Sequence, residues 1–394
     1  MKKRSQKSRL LIGYAISGLG DQFYIFAIPL LLLSKTHSSI IMGLLTAMEY
    51  LPTALFGLTI GPIFDIWPRK KVMLISLLMQ AILVVCAPLL IIKDIPIFWI
   101  LVAVFLFGTF DLITWTGYQV FIAESVDNNE LSTVSGQVGL ISAIQKTFGP
   151  GIAAIIINLV NYAGGFLLDA LSFGYLTYVV KDYEPLNREP GYFENKRSFK
   201  SSAKNGWTFL FSQPIIKWII ISFFVANIGF QAVVPMLTFL LRQVMKTSVN
   251  MISVFFSIAA IASIIGNFIY LRLNKKIKLG LQLVLIGIMI ALGFVLMLNV
   301  KSFIMVTCGY AIVSFGSVWS QANFFTVIQS KTPNRYKGTI TSIATSLTRL
   351  IGPIMSIFSG VLIRYEVHLI FVIAIFCMVV SVAMTFTSKL SRLD

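Results

Sequence analysis

Apolar residues run along this chain in long blocks separated by short polar breaks. Twelve blocks stand out, at about 10-33, 40-60, 72-92, 97-121, 134-157, 162-180, 214-240, 249-271, 279-299, 302-328, 338-363 and 366-387. Each is long enough to cross a hydrocarbon core of about 30 Å at about 1.5 Å per residue. Lipid offers no partner to a backbone N–H or C=O, so each block is expected to be a helix that satisfies its own backbone. The longest polar interruption, from about 181 to 207, divides the blocks six and six. The pattern predicts an all-α membrane protein of twelve transmembrane helices in two six-helix pseudo-repeats. These are residues 1-180 and 214-394, joined by a cytoplasmic linker at 181-213 with a short surface helix near its end.

Composition agrees with the pattern. The chain is 57% hydrophobic and 12% charged, with 32 Phe and a mean hydropathy of +0.86, outside the range of a soluble domain. A net charge of +17 would suggest nucleic acid in a soluble protein, but here its placement matters more. Of the 32 Lys and Arg, 23 fall in the N-terminal tail, the loops at 61-71, 181-213, 272-278 and 331-337, and the C-terminus. Six fall in the alternate loops, at Lys35, Lys93, Arg242, Lys246, Lys301 and Arg364. That bias predicts cytoplasmic N- and C-termini in the cell membrane. The acidic stretch ESVDNNE (124-130) does not weaken it, because acids weigh little in orientation.

The first block has a basic start but contains Asp21 and lacks a small-residue cleavage site, so it reads as an uncleaved span. Cys86, Cys308 and Cys377 lie in unrelated spans, as core filling. No glycine-rich nucleotide loop occurs. The two histidines, His37 and His368, have no soft ligands clustered around them, so no metal and no cofactor is expected. Nor does a hydrolase-like nucleophile and base stand out. The expectation is a non-enzyme driven by an ion gradient or by the solute's own gradient.

Two basic residues sit inside apolar blocks in matching surroundings. Lys146 lies in AIQKTFGPGIAAII and Arg349 in SLTRLIGPIMSIF, 203 positions apart, each followed three residues later by Gly-Pro. A cation in hydrocarbon costs several kcal/mol unless it faces protein or water. Such a pair implies either a lined interior cavity or local pairing with neighbouring polar groups. The repetition extends to GPIFDIWPRKK (61-71) and GNFIYLRLNKK (266-276). Proline removes a helix donor and glycine permits close packing, so Gly149-Pro150 and Gly352-Pro353 mark helix bends or tight crossings.

The segment Gly61-x-x-x-Asp65-x-x-Pro68-Arg69-Lys70-Lys71 resembles the signature loop of the major facilitator superfamily, Gly-x-x-x-Asp-Arg-x-Gly-Arg-Arg. It departs at Ile66 and Pro68. Gly149-Pro150 is similar to the core of that superfamily's antiporter motif, without all its flanking glycines. The stretches VFIAESVDNNELSTVSGQVGLISAIQKTFGP and FFTVIQSKTPNRYKGTITSIATSLTRLIGP resemble the drug and metabolite exporter branch that contains macrolide efflux proteins. The resemblance implies the major facilitator fold, with Asp65 and Arg69 in a cytoplasmic latch that stabilises the outward-open state. It also implies a bend at Pro150 that seals the cavity against proton leakage. A helix cap with positive-inside charge, and a bend serving packing alone, explain the same residues.

Four acids fall in the apolar blocks, Asp21, Glu49, Asp111 and Asp169, all in the first half. A carboxyl in a poorly solvated cavity is suited to loading and releasing protons. Asp21 is the first candidate for proton coupling, with Glu49 and Asp111 next. The resemblance places spans 1 and 4 at the central cavity and span 6 at the periphery, where Asp169 has a structural hydrogen-bonding role. Lys146 and Arg349 are candidates for counter-charge or gating. Asn227 and Gln231 share a helix face, and with Trp115, Gln119, Trp319, Gln321 and Asn323 they are candidates for the substrate cavity. The aromatic residues have interfacial anchoring as their other reading.

The function expected is a monomeric antiporter exporting a small amphipathic solute or peptide-like antibiotic against protons by alternating access, with efflux and antibiotic resistance as the outcome. Its partners are solute, protons and membrane lipids, and no nucleic acid. Import of a small organic solute and a non-transporting sensor or assembly role are the alternatives.

Overall fold

The computed structural model describes residues 2–183 and 212–390, apart from positions 58, 59, 61, 62, 65, 66, 94, 126, 127, 274, 275, 333–343, 345–347, 349 and 389. Within these residues the regular structure is helical. In order come α1 (Lys2–Thr36), α2 (Ser39–Phe56), α3 (Arg69–Ile92), α4 (Ile97–Glu124) and α5 (Asn128–Lys181). They are followed by α6 (Pro214–Val233), α7 (Val249–Leu273), α8 (Leu279–Met297), α9 (Phe303–Lys331), α10 (Ile351–Tyr365) and α11 (His368–Thr387). Beyond Val233 the helical course of α6 changes pitch. It runs through a tight turn at Val234–Met236 containing Pro235, one α turn at Leu237–Phe239 and a wide π turn at Leu240–Val244. A proline that removes one ladder bond is a sufficient cause of the change.

The helices expose apolar side chains in quantity. On α5, Leu167, Leu168 and Leu171 are exposed while Phe166, Asp169 and Phe173 are buried. An apolar face of that extent suits lipid, where it carries no hydration penalty.

The described helices form two compact units. The first gathers α1, α3, α4, α5, the part of α2 from Met48 and the part of α7 through Ser257. In it the Phe23 ring of α1 fills the space left by Gly165 of α5, where an added Cβ would lie 2.0 Å from the ring. Phe23 also meets Phe166 edge-on at 5.1 Å. Helices α3 and α4 are tied by the Ser76 hydroxyl, 2.6 Å from that of Thr114 and donating to the Phe110 carbonyl at 2.7 Å. The second unit gathers α6, α8 to α11, the start of α2 through Ala47 and α7 from Ile258. There Ser222 of α6 meets the hydroxyls of Ser381 and Thr385 of α11 at 2.8 and 3.0 Å. The Ser39 hydroxyl donates to the Gly360 carbonyl of α10 at 2.6 Å, and an added Cβ on Gly43 would stand 2.3 Å from the Ser356 carbonyl oxygen. Hydrogen bonds between membrane helices are worth about 0.6 kcal/mol each on average, so close packing at small residues carries most of the association.

The expected twelve helices in two matching sets of six are corrected by this structure. Among the described residues ten helices are long and apolar enough to cross a membrane, and α10 is shorter. Two features account for the difference. The blocks 134-157 and 162-180 fall in α5, two helices that meet at a kink with non-helical backbone at Asn161 (φ 60, ψ −179), and Phe148–Lys181 carries the spanning length and composition there. The block 338-363 is described as a continuous helix only from Ile351. Positions 338–343, 345–347 and 349 of that block lie outside the described residues. Hydropathy counts apolar length; it cannot distinguish a break at one polar residue from a loop between two spans.

Candidate functional site

Helix α1 presents Tyr14, Gly18, Asp21, Gln22 and Ile25 to one cavity of about 420 Å³ in the first unit. Tyr14 and Asp21 are seven positions apart, two turns along a helix of 3.6 residues per turn, and so share a face. Gly18 lies between them, and the space beside it is filled by the amide of Gln145 from α5, 2.2 Å from an added Cβ. That amide donates to the Tyr14 and Ala15 carbonyls at 3.0 and 3.1 Å, and the hydroxyls of Tyr14 and Ser142 meet at 2.6 Å. Helices α1 and α5 are therefore clasped along the cavity wall.

The other walls follow the same logic. Phe107, Asp111 and Trp115, each four residues apart on α4, line the cavity together. Helix α2 contributes Glu49, Tyr50 and Thr53. Gly108 allows α2 to approach α4, with an added Cβ 3.1 Å from the Glu49 carbonyl oxygen.

Asp21, Glu49 and Asp111 thus come from three helices to one chamber. Their surroundings differ. One oxygen of Asp21 and one of Glu49 are buried without a hydrogen-bond partner. Asp111 is exposed and accepts a long bond from the Gln80 amide at 3.5 Å. Gln80 is itself fixed by accepting from the Thr114 hydroxyl at 2.6 Å. Asp169 lies apart from the chamber, 1% exposed, against the backbone of Gly20, where an added Cβ would be 2.2 Å from its carboxylate. One of its oxygens accepts from Ser172 at 3.4 Å and the other has no partner.

The basic candidates are less visible. Arg349, Gly61 and Asp65 lie outside the described residues, as does the side chain of Lys146, whose backbone belongs to α5. Arg69 donates to the Phe64 carbonyl at 3.0 Å, Lys70 donates to the Tyr183 carbonyl at 3.2 Å, and Lys71 is exposed. Residues 184–211, where the surface helix of the linker was expected, also lie outside the description.

The two Gly-Pro pairs share a packing feature. An added Cβ on Gly149 would stand 2.6 Å from the Gln22 side chain of α1, and one on Gly352 would stand 3.1 Å from the Gln231 amide of α6. Helix α5 keeps helical backbone through Pro150. Pro353 is the third residue of the described α10.

The second unit holds its own cavity of about 220 Å³, lined among others by Asn227 and Gln321 and by the hydroxyl-bearing Ser222, Ser317, Ser320 and Thr385. Asn227 donates to the Phe223 carbonyl at 2.8 Å. Gln231 lies at Gly352 rather than in the cavity lining, and its carbonyl accepts from Ser359 at 3.3 Å. Trp319 is buried and donates to Gln282 at 2.8 Å. Asn323 is fully buried with neither amide atom hydrogen-bonded. Gln119 is exposed and does not line the cavity that takes in Trp115.

The sequence reading missed Tyr14, Gln22, Tyr24, Tyr50, Ser142 and Gln145. Tyr14 was legible from its spacing to Asp21; the others required knowledge of which helix faces which. Among the described residues no group of three His, Cys, Asp or Glu is placed to hold a metal ion.

Comparison with known proteins identifies the architecture. The chain superposes on a nucleoside transporter with a TM-score of 0.80 at 11% identity, covering 97% of this chain and 99% of the other. It superposes on a bacterial homologue of the iron transporter ferroportin, in an inward-facing state, with a TM-score of 0.78 at 14% identity and 98% coverage of both. A bacterial homologue of the human lysosomal transporter Spinster gives 0.72 at 13% identity, covering 99% of this chain and 97% of that one. At such identities the likeness is one of fold. A sequence search finds no match among curated proteins. The sequence model described as Major Facilitator Superfamily matches residues 10–357. On that match, over a multi-pass membrane framework, the chain belongs to the Major Facilitator Superfamily and is a secondary active transporter, not an enzyme.

Proposed function

We propose that the protein is a proton-coupled antiporter of the cell membrane, exporting an antibiotic, small peptide or related metabolite by alternating access, with both termini cytoplasmic. The observation that carries this reading is the convergence of Asp21, Glu49 and Asp111, from α1, α2 and α4, on one cavity. Its volume of about 420 Å³ falls within the range of drug-sized sites. Export rests on the similarity of the segments around the two Gly-Pro pairs to the exporter branch. Orientation rests on the distribution of Lys and Arg.

Asp21 is the first choice for the coupling carboxyl. Glu49 and Asp111 share its chamber, Tyr14 and Tyr24 are titratable neighbours there, and Asp169 lies behind the adjacent Gly20. In this mechanism a proton and the solute compete for the chamber, so arrival of one favours release of the other. Moving one charge across 100 mV gains about 2.3 kcal/mol, which sustains about a fiftyfold concentration ratio.

The test is accumulation of labelled amphipathic antibiotics and dipeptides in energised cells producing the wild-type or Asp21→Asn protein, with and without a protonophore. The expected result is reduced accumulation with wild type alone, abolished by either perturbation. Raised accumulation would mean import, and an export unaffected by the protonophore would remove protons from the mechanism.

A further inference from the structure

We propose that the end of the first unit where α1 and α3 begin and α5 ends holds the headgroup of an anionic phospholipid, its phosphate among Arg9, Lys70, Lys71 and Lys181 and its acyl chains along apolar faces of α3 and α5. The site is separate from the chamber described above and does not depend on the direction of transport or on its coupling.

These bases come from three helices, and contacts at the end of α5 gather them. The Lys70 ammonium of α3 donates to the Tyr183 carbonyl at 3.2 Å. The Arg9 guanidinium of α1 lies 3.9 Å from the Asp182 carboxylate. Tyr183 is itself held, its ring buried and stacked on Phe121 at 4.5 Å and its hydroxyl donating to the Phe121 carbonyl at 3.2 Å. Lys71 and Lys181 are the chain neighbours of Lys70 and Asp182, and both are exposed. Asp182 offsets one of the four cations, through a long pair whose side chains are both more than half exposed, an arrangement that binds weakly. Lys70 has spent one of three donors and Arg9 keeps its planar fork, so donors remain for a phosphate. An orienting bias asks only that bases lie in loops on one side; it does not ask that bases from three helices meet at one helix end.

The surface beside the charges is apolar on both α3 and α5. On α3, Ile75, Leu78 and Ile82 follow Lys71 at helical spacing and are all exposed, so one face runs from a cation into apolar side chains. On α5, Leu171, Tyr175 and Tyr178 lead up to Lys181 in the same way. Trp67, just before α3, and Tyr178 are 61% and 59% exposed, rings of the kind that sit at headgroup level. A phospholipid has the matching layout, a charged group at the end of apolar chains. The excess of cations selects its charge, because the ammonium of a zwitterionic headgroup would stand among bases, whereas each base near an anionic headgroup raises affinity about fivefold.

The test is binding of labelled phosphatidylglycerol to the purified full-length protein in a neutral detergent. Phosphatidylcholine of the same acyl chains and inorganic phosphate serve as competitors at constant ionic strength. Saturable retention of phosphatidylglycerol is expected, with phosphatidylcholine weaker by about tenfold or more and no displacement by millimolar inorganic phosphate. The triple variant Arg9→Gln, Lys71→Gln, Lys181→Gln is expected to bind about a hundredfold more weakly, three steps of about fivefold. Lys70 is left in place because it holds the Tyr183 carbonyl. A second triple variant, Lys276→Gln, Lys278→Gln, Lys331→Gln, removes equal charge from exposed positions of the second unit and is expected to bind as wild type does. The competition uses wild-type protein alone and so does not depend on the variants folding. Unsaturable retention, equal competition by phosphatidylcholine, displacement by inorganic phosphate, or undiminished binding in the first variant, eluting as the folded species, would overturn the proposal. Equal losses in the two triple variants would also overturn it, by showing a response to net charge and no localised site.

Discussion

At Gly18 of α1 the amide of Gln145 occupies the space a side chain would need. Gly18→Val is expected to displace that amide and its two bonds to the Tyr14 and Ala15 carbonyls. Overpacking of this kind costs about 1–3 kcal/mol, and a lower unfolding midpoint of the purified variant, with loss of solute binding, checks it. Neither half of this contact shows in the sequence, because a glycine and a glutamine 127 positions apart carry no mark of their meeting. Glu366, in the turn before α11 and outside the spanning helices, gives a second prediction at this scale. The side-chain hydrogen bond from His368, with a backbone N–H behind it, holds its carboxyl below the usual carboxylate range. A lowered folded-state value means the contact stabilises the turn above the ordinary carboxylate range and is lost as pH falls through the lowered value. Protection factors of the amides at the start of α11, taken against the intrinsic exchange rate at each pH, should therefore fall on acidification, and Glu366→Gln should remove that dependence.

Among the elements, α5 is two helices that meet at a kink. Asn161 holds φ 60 and ψ −179, a region that glycine enters freely and other residues occupy at a cost of about 1–3 kcal/mol. Asn161→Gly should relieve part of that cost and raise the unfolding midpoint, whereas Asn161→Val should lower it; equal midpoints for the two variants would show that the backbone there carries no strain. The helical nature of these segments was legible, because each block must satisfy its own backbone in lipid. The break at Asn161 falls in the gap between the blocks 134-157 and 162-180, so its place was legible, whereas the backbone geometry that makes it was not. The pitch change after Val233 had a visible cause in Pro235, but the succession of a tight and a wide turn depends on how the surroundings accept the displaced carbonyls.

On the scale of the whole molecule, each compact unit holds a cavity of its own, acidic and aromatic in the first, amide- and hydroxyl-bearing in the second. Lys146 belongs to the helix that also brings Ser142 and Gln145 to the acidic chamber. Lys146→Ala is expected to impair transport more than membrane insertion; a variant expressed at the wild-type level with undiminished export would end the case for its role. Membrane residence, helical class and the confinement of the acids inside spans to the first half follow from the sequence alone, because lipid forces backbone pairing and penalises charge whatever the tertiary arrangement. The candidate acids Asp21, Glu49 and Asp111 could be named in the same way, as costly residues in apolar blocks. That these three share one chamber while Asp169 stands apart was decided by tertiary structure. So were the positions of Asn227 and Gln231, which share a helix face yet lie in different surroundings, one at a cavity and one at Gly352. Hydropathy fixes how deep a helix can lie in the bilayer, but its rotation about its own axis is set by close packing with its neighbours, and that rotation determines which side chains meet.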